Sequence, residues 1–392
     1  MIDVSRARAD TPGCAEVVHL NNAGAALMPA PVLDAVKSHL DLEARIGGYE
    51  AAAREQERWE RAYDAIAALL VCGRDEVALL ESATRAWDMA FYGIPFRSGD
   101  RILTARAEYV SNYLAFLQVA RRTGARVEVV PCDSTGQLDV AALERMMDER
   151  VRLVAVTHVP THGGMVNPVA EIGRITRAWN CLYLVDACQS AGQLPLDVNV
   201  IGCDLLAATG RKFLRGPRGT GFLYVRRTAL ERLEPPFVDL HSATWTSTQS
   251  YRWRPDARRF ESWERSYAAL IGLGVAVDYA LGWGLHHIRD RVQALAARLR
   301  EMLAEVPGVA VHDLGSEKCA IVGFTVEGVP ATLVRDQLLA AGINVSVSNL
   351  ESARLDMEPR GLTQLVRASV HYYNTDEELE RLAGELRAIG GA

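Results

Sequence analysis

The chain has 392 residues, enough for two or three domains at roughly 150 residues each. Hydrophobic residues make up 49% and charged residues 23%, which excludes a disordered, collagen-like or disulfide-miniature chain. Lys+Arg 43 against Asp+Glu 49 leaves a net charge of −6 with no long basic run, so neither nucleic acid nor a membrane surface is an expected partner.

Taken in chain order, the pattern alternates helix and strand. Val32–Ile46 and Tyr49–Leu70 carry helical spacing, and Val77–Leu80 is a short apolar run. A helix over Thr84–Ile94, a strand over Arg101–Thr104 and a helix over Tyr109–Arg122 follow, the last closed by Gly124. Val127–Val130, Leu153–Thr157, Leu182–Val185, Leu205–Ala208 and Gly221–Val225 are compact apolar runs, and Leu138–Asp148 and Val169–Trp179 are helices between some of them. Runs apolar on both faces suit strands covered by helices on both sides, so this half predicts an α/β, mostly parallel sheet. The segment 240–258, rich in Ser, Thr, Arg and Trp, is expected to be irregular.

After Pro255 the texture changes. Long helices are expected over Glu264–Leu285 and His286–Glu305. A strand over Cys319–Thr325, a helix over Ala331–Ala341, strands near Val345 and over Val366–Val370, and a last helix over Asp376–Ile389 complete a small α+β unit. The division expected is a large domain over 16–285 and a small domain made of 1–15 and 286–392.

The most apolar window, 270–285, is too short to span a bilayer and is interrupted by Asp278 and four glycines. The opening MIDVSRARAD lacks the apolar core of a signal peptide. Cysteines 14, 72, 132, 181, 188, 203 and 319 are scattered, without CxxC or zinc-ligand spacing. Reduced thiols, a cytoplasmic setting and no metal site are the expectation.

Three pieces carry chemistry together. The apolar run before Asp186 ends in a carboxylate, at the sheet edge where open α/β sheets bind ligands. Lys212 follows another apolar run, in the turn Ala208-Thr209-Gly210-Arg211-Lys212-Phe213. Ser82-Ala83-Thr84 opens a helix whose free N–H groups can hold a phosphate. Singly, these read as a cap, a solvated lysine and an ordinary helix start. Jointly they match pyridoxal 5'-phosphate (PLP), which needs a Schiff-base lysine, a carboxylate at its ring nitrogen and a phosphate cradle.

The sequence resembles the class V aminotransferase group of fold-type-I PLP enzymes, which includes cysteine desulfurases and isopenicillin N epimerase-like proteins. The resemblance runs through HLNNAGAALMP (19–29), ESATRAWDMA (81–90), THVPTHGGMVNP (157–168), VDACQSAGQ (185–193), ATGRKFLRGPRGTGFLYV (208–225), RRFESWE (258–264) and VRASVHYYNTDEELERL (366–382). It implies a large domain with a mostly parallel seven-stranded sheet and a small α+β C-terminal domain. It further implies Lys212 as the Schiff-base lysine and proton shuttle, Asp186 at the ring nitrogen and Gln189 at the ring oxygen. Ala83, Thr84, Thr209 and Arg211 fall on phosphate-side positions, and Tyr109 stands where desulfurases stack a histidine on the ring. On the substrate side it implies Arg367 for the α-carboxylate, with Thr161 where an asparagine often stands, and Asn22 near them. A homodimer with shared active sites is implied too, the second subunit reaching in through the segment matching Phe260–Glu264.

Other residues near these motifs read differently. His158 reads as a satisfied structural histidine and His162 as a substrate-side candidate. Arg215 and Arg218 read as structural or phosphate-side, and Trp245 and Trp253 as lid residues or packing. Cys188 is expected to point away from the cofactor.

Desulfurases of this group carry a nucleophilic cysteine on a loop shortly before the carboxylate arginine. Here that stretch, 346–355, contains Ser352 and no cysteine, which argues against sulfur transfer to a protein thiol. The reaction expected is β-elimination on an S-substituted cysteine by a C–S lyase, an α-amino acid being the substrate. An aminotransferase, an epimerase or racemase and a decarboxylating oxidative deaminase remain open, as does a PLP-binding regulatory protein.

Overall fold

The computed structural model describes residues 1–390. Seven strands form one sheet in the order Val77–Leu80, Gly221–Val225, Leu205–Thr209, Leu182–Asp186, Val151–Thr157, Arg101–Thr104, Arg126–Val129. All are parallel except Gly221–Val225, which runs against both of its neighbours. Successive residues of each strand enter opposite cores. Leu79, Val154, Val156, Tyr183, Val185 and Leu206 pack on one face, and Leu80, Leu153, Ala155, Leu182, Leu184 and Leu205 on the other. That two-sided burial is why the strands read as unbroken apolar runs.

The C-terminal unit holds a four-stranded antiparallel sheet, ordered Val309–Val311, Ile321–Val326, Gln364–Ser369, Ser346–Asn349. The N-terminal segment is stitched to it. Val18–His19 pairs in parallel with Ile343–Asn344, Asn21 bridges Ser369, and Arg8 reaches Glu378 at 2.7 Å. Helix Tyr267–Trp283 packs on helices Ala30–Ile46 and Gln56–Leu70, and much of its length is buried.

Two expectations are corrected. The helix expected over Tyr49–Leu70 is two helices, Gly48–Arg54 and Gln56–Leu70, hinged at Glu55. The Trp59 indole donates to the Ala52 carbonyl at 3.0 Å, taking the acceptor that the next helical turn would use. The segment expected to be irregular contains a β-hairpin, Ala243–Ser247 against Ser250–Trp253. Thr, Trp and Tyr favour extended backbone, but both faces are largely exposed, so no apolar alternation announced the strands.

Candidate active site

Parallel strands deliver their last residues to one edge of the sheet. Thr104, Thr157, Asp186 and Thr209 each end a strand there, with Thr157 in register with Asp186. Gly221 begins the reversed strand and pairs with both Thr209 and Leu80, so the helix opened by Ser82 starts beside it. A Cβ on Gly221 would lie 2.3 Å from the Ser82 carbonyl carbon and 2.6 Å from the Ala83 nitrogen, so only glycine permits this approach.

The resulting cleft offers about 490 Å³ of space, part of it open to solvent. Ala83, Thr84, Tyr109, Thr161, Asp186, Gln189, Thr209, Arg211 and Lys212 all line it, with Ser82, Thr157, Val159 and Cys188. The turn carrying Lys212 is pressed against Gly192, whose φ is +93°. A Cβ there would sit 2.4 Å from the Phe213 carbonyl carbon and 2.5 Å from the Leu214 nitrogen.

Burial lowers the Lys212 pKa, and the nearby Arg211 and Arg367 cations add to this, while Cys188 and Asp186 oppose it. The amine is thereby brought toward its nucleophilic, neutral form. Asp186 accepts from the Cys188 amide and from Asn112 Nδ2, each at 2.9 Å.

Arg367, on strand Gln364–Ser369, is buried. Its Nη1 donates to the Thr161 carbonyl oxygen at 2.8 Å and to Thr161 Oγ1 at 2.9 Å, and its Nη2 reaches Asn21 Oδ1 at 3.3 Å. Burial, with Arg211 nearby, brings its pKa down to about 10, which still leaves a cation at neutral pH. Arg211 Nη1 donates to the Gly24 carbonyl in the same N-terminal loop.

Several assignments change. Asn22, expected on the substrate side, does not line the cleft. Its fully buried side chain donates to Ser369 O at 2.7 Å and His19 O at 3.2 Å, and accepts from the Tyr373 hydroxyl at 2.5 Å. The neighbouring Asn21 is the one that meets Arg367. His162 does not line the cleft either, because its Nε2 is 2.9 Å from Asp356 Oδ2 in a buried pair. His158 is buried but not satisfied, since its Nδ1 has no partner, and burial lowers it to about 4. Cys188 does line the cleft, where burial first, and Asp186 next, hold its thiol pKa far above the usual range.

Arg215 is structural. It is fully buried and donates to Leu27 O at 2.8 Å, the Tyr372 hydroxyl at 2.8 Å and Thr11 Oγ1 at 2.5 Å. Within the segment implied to serve a second subunit, Glu261 turns inward, accepting from the Tyr63 hydroxyl at 2.8 Å and the Leu79 amide at 2.7 Å. Ser262, Trp263 and Glu264 remain exposed.

Glu108 and Asn112, which sequence reasoning missed, form a buried polar cluster behind Asp186. The only local signal was a carboxylate and an amide at i, i+4 beside Tyr109.

The cleft's free chemistry suits PLP. It presents an amine, a carboxylate, a helix N-terminus and the side-chain amide of Gln189, whose Oε1 is buried without a partner. These match an aldehyde, a pyridinium N–H, a phosphate and a ring hydroxyl.

The comparisons agree. The family model "Aminotransferase class-V" matches residues 18–382. A probable cysteine desulfurase of Methanothermobacter thermautotrophicus is 31% identical, over 98% of this chain and 97% of its own. The apo structure of a cysteine desulfurase from Thermococcus onnurineus NA1 superposes with TM-score 0.93 at 27% identity, covering 100% of this chain and 99% of that one. A C-DES mutant with glycine covalently linked to its PLP cofactor shares the fold, with TM-score 0.87 at 24% identity, covering 97% and 98% of the two chains. The chain belongs to the class V aminotransferase family and is a PLP-dependent enzyme.

Proposed function

We propose that this enzyme is a C–S β-lyase that eliminates a thiol from an S-substituted cysteine. The observation that carries this reading is the structure of residues 346–361. Where a desulfurase would need a thiol, a strand leads into the short helical turns Leu350–Ser352, Arg354–Met357 and Glu358–Arg360. Ser352 Oγ donates to Asn349 O at 2.7 Å, and the chain has no cysteine after Cys319. A hydroxyl cannot accept sulfur as a persulfide.

Bound PLP supplies an electron sink for charge developing at Cα. The protein does the rest. Arg367, braced by Thr161, forks onto the α-carboxylate and orients Cα. Lys212 Nζ takes the Cα proton. Asp186 would hold the ring nitrogen protonated, Tyr109 would provide an aromatic wall, and the helix start at Ala83–Thr84, with Thr209 and Arg211, would hold the phosphate.

A homodimer is part of this reading. Support comes from the exposed Phe237, Val238, Leu240, Trp245 and Trp263, gathered around a segment that the Trp263 amide ties to Asp239 at 2.6 Å. All seven cysteines are unpaired, which supports a reducing, cytoplasmic setting.

The deciding experiment incubates the PLP-loaded protein with cysteine, cystine and a panel of S-alkyl cysteines. Pyruvate and ammonia are expected in equal amounts, matched by thiol from the S-alkyl cysteines, hydrogen sulfide from cysteine and the persulfide thiocysteine from cystine, with no pyridoxamine phosphate. Alanine with a protein-bound persulfide would establish desulfuration instead, and pyridoxamine phosphate would establish transamination.

A further inference from the structure

Behind the cleft, Glu108 is enclosed and, among the described residues, has no cationic partner. Its carboxylate accepts from Thr104 Oγ1 at 2.9 Å, the Tyr109 amide at 2.8 Å, the Thr157 amide at 3.2 Å and the Thr157 hydroxyl. It also accepts from Asn112 Nδ2 at 2.9 Å, and that same nitrogen donates to Asp186 Oδ2 at 2.9 Å. An –NH2 group has two protons, so each serves one carboxylate. Glu108 and Asn112 are buried with their side-chain polar groups bonded inside this cluster, behind Asp186 as seen from the cleft.

We propose that Glu108 is a positioning residue that acts on the cofactor's protonation through Asn112, orienting Asp186 and placing a second negative charge behind it. The inference rests on Asp186 facing the ring nitrogen. Five donors fix Glu108, Glu108 fixes one amide proton, and the other amide proton holds Oδ2 of Asp186. The Cys188 amide holds Oδ1 at 2.9 Å, so the Asp186 carboxylate is oriented from both ends.

Burial raises the Glu108 carboxyl to about 7; its hydrogen bonds from Thr157, Asn112 and Tyr109 work against this, and Asp186 works with it. Of the groups facing it, Asp186 is the other carboxyl, and Thr104, Thr157, Asn112 and the Tyr109 amide are neutral donors. His158, whose amide bonds the Asp186 carbonyl at 2.9 Å, is held neutral by burial. Lys212 and Arg211 act on Cys188 from the cleft side. When Glu108 ionises, the added negative charge favours a proton on the lysine-linked cofactor. Removing that charge disfavours the proton.

The test is a pH titration of the visible absorption band of the PLP-loaded protein, from about pH 6 to about pH 9, with thermal melting recorded alongside. Glu108→Gln and Asn112→Ala should each lower the midpoint by about half a unit or more, and the double variant by no more than the larger single shift. A purely structural role would lower the melting temperature and leave the midpoint in place. A Glu108→Gln protein that titrates like wild type overturns the proposal. If Glu108→Gln does not fold, a wild-type midpoint in Asn112→Ala overturns it equally. An unshifted midpoint in Asp186→Asn overturns the assignment of Asp186 and the proposal with it. A shift in Asp186→Asn with none in Glu108→Gln overturns the proposal alone.

Discussion

Arg367 donates twice to Thr161 through a single nitrogen, to the carbonyl oxygen at 2.8 Å and to the hydroxyl at 2.9 Å. The guanidinium is buried, and among the described residues no carboxylate neutralises it and its Nε has no partner. Such a cation is what the proposed pairing with a substrate α-carboxylate requires. Arg367→Ala should raise KM for α-amino acid substrates by about 10- to 100-fold, the worth of one charge-assisted pair. Thr161→Val, which keeps the carbonyl contact, should raise it by about fivefold. Steady-state kinetics of both variants checks the order as well as the sizes.

Lys212→Ala should abolish the visible band and lower turnover by at least about a thousandfold, since both the covalent anchor and the base are removed. Borohydride reduction followed by peptide mass analysis should place the cofactor's mass on the Lys212 peptide of the wild type. An adduct on another lysine would displace Lys212 from its role.

Cys188 is the thiol that opens on the cleft, and burial beside Asp186 keeps it protonated. A protonated thiol is a poor sulfur acceptor. Cys188→Ala should retain turnover within about threefold. A hundredfold loss would restore sulfur transfer as the reaction, and assays of thiol release on the variant decide between them.

Asp356 joins His162 at 2.9 Å and Arg360 at 2.6 Å. Burial pushes its carboxyl up, but these two partners outweigh it and hold the pKa below the usual range. A depressed carboxyl pKa stabilises the fold above the unfolded value, and that contribution is lost as pH falls through the folded one. Asp356→Asn should cost about 2–4 kcal/mol near pH 7, with the gap from wild type closing below about pH 4. Urea unfolding at both pH values measures it.

Much of the cleft was legible because strand ends are legible. Asp186 and Thr209 terminate runs such as LYLV and LLAA, whose two-sided apolarity marks a covered sheet, and the edge follows from where each run stops. Loop side chains were not. Asn21 and Asn22 are adjacent and chemically identical, and only the Asn21–Ser369 bridge decides which one meets Arg367 and which is enclosed. His162 was misread for a similar reason, since its partner Asp356 is remote in sequence. The bond from Asn112 to Asp186 also joins distant segments, and no local pattern foretells it. The hairpin at Ala243–Trp253 lacked the alternation that burial imposes on one face.

The bare α-carbon of Gly192 has a reach beyond its own turn. Any side chain there would collide with the peptide joining Phe213 to Leu214 and displace the turn that carries Lys212. A position with no chemistry of its own thus serves as the anvil on which the Lys212 turn is shaped. Damage there would surface as a pale enzyme rather than an unfolded one.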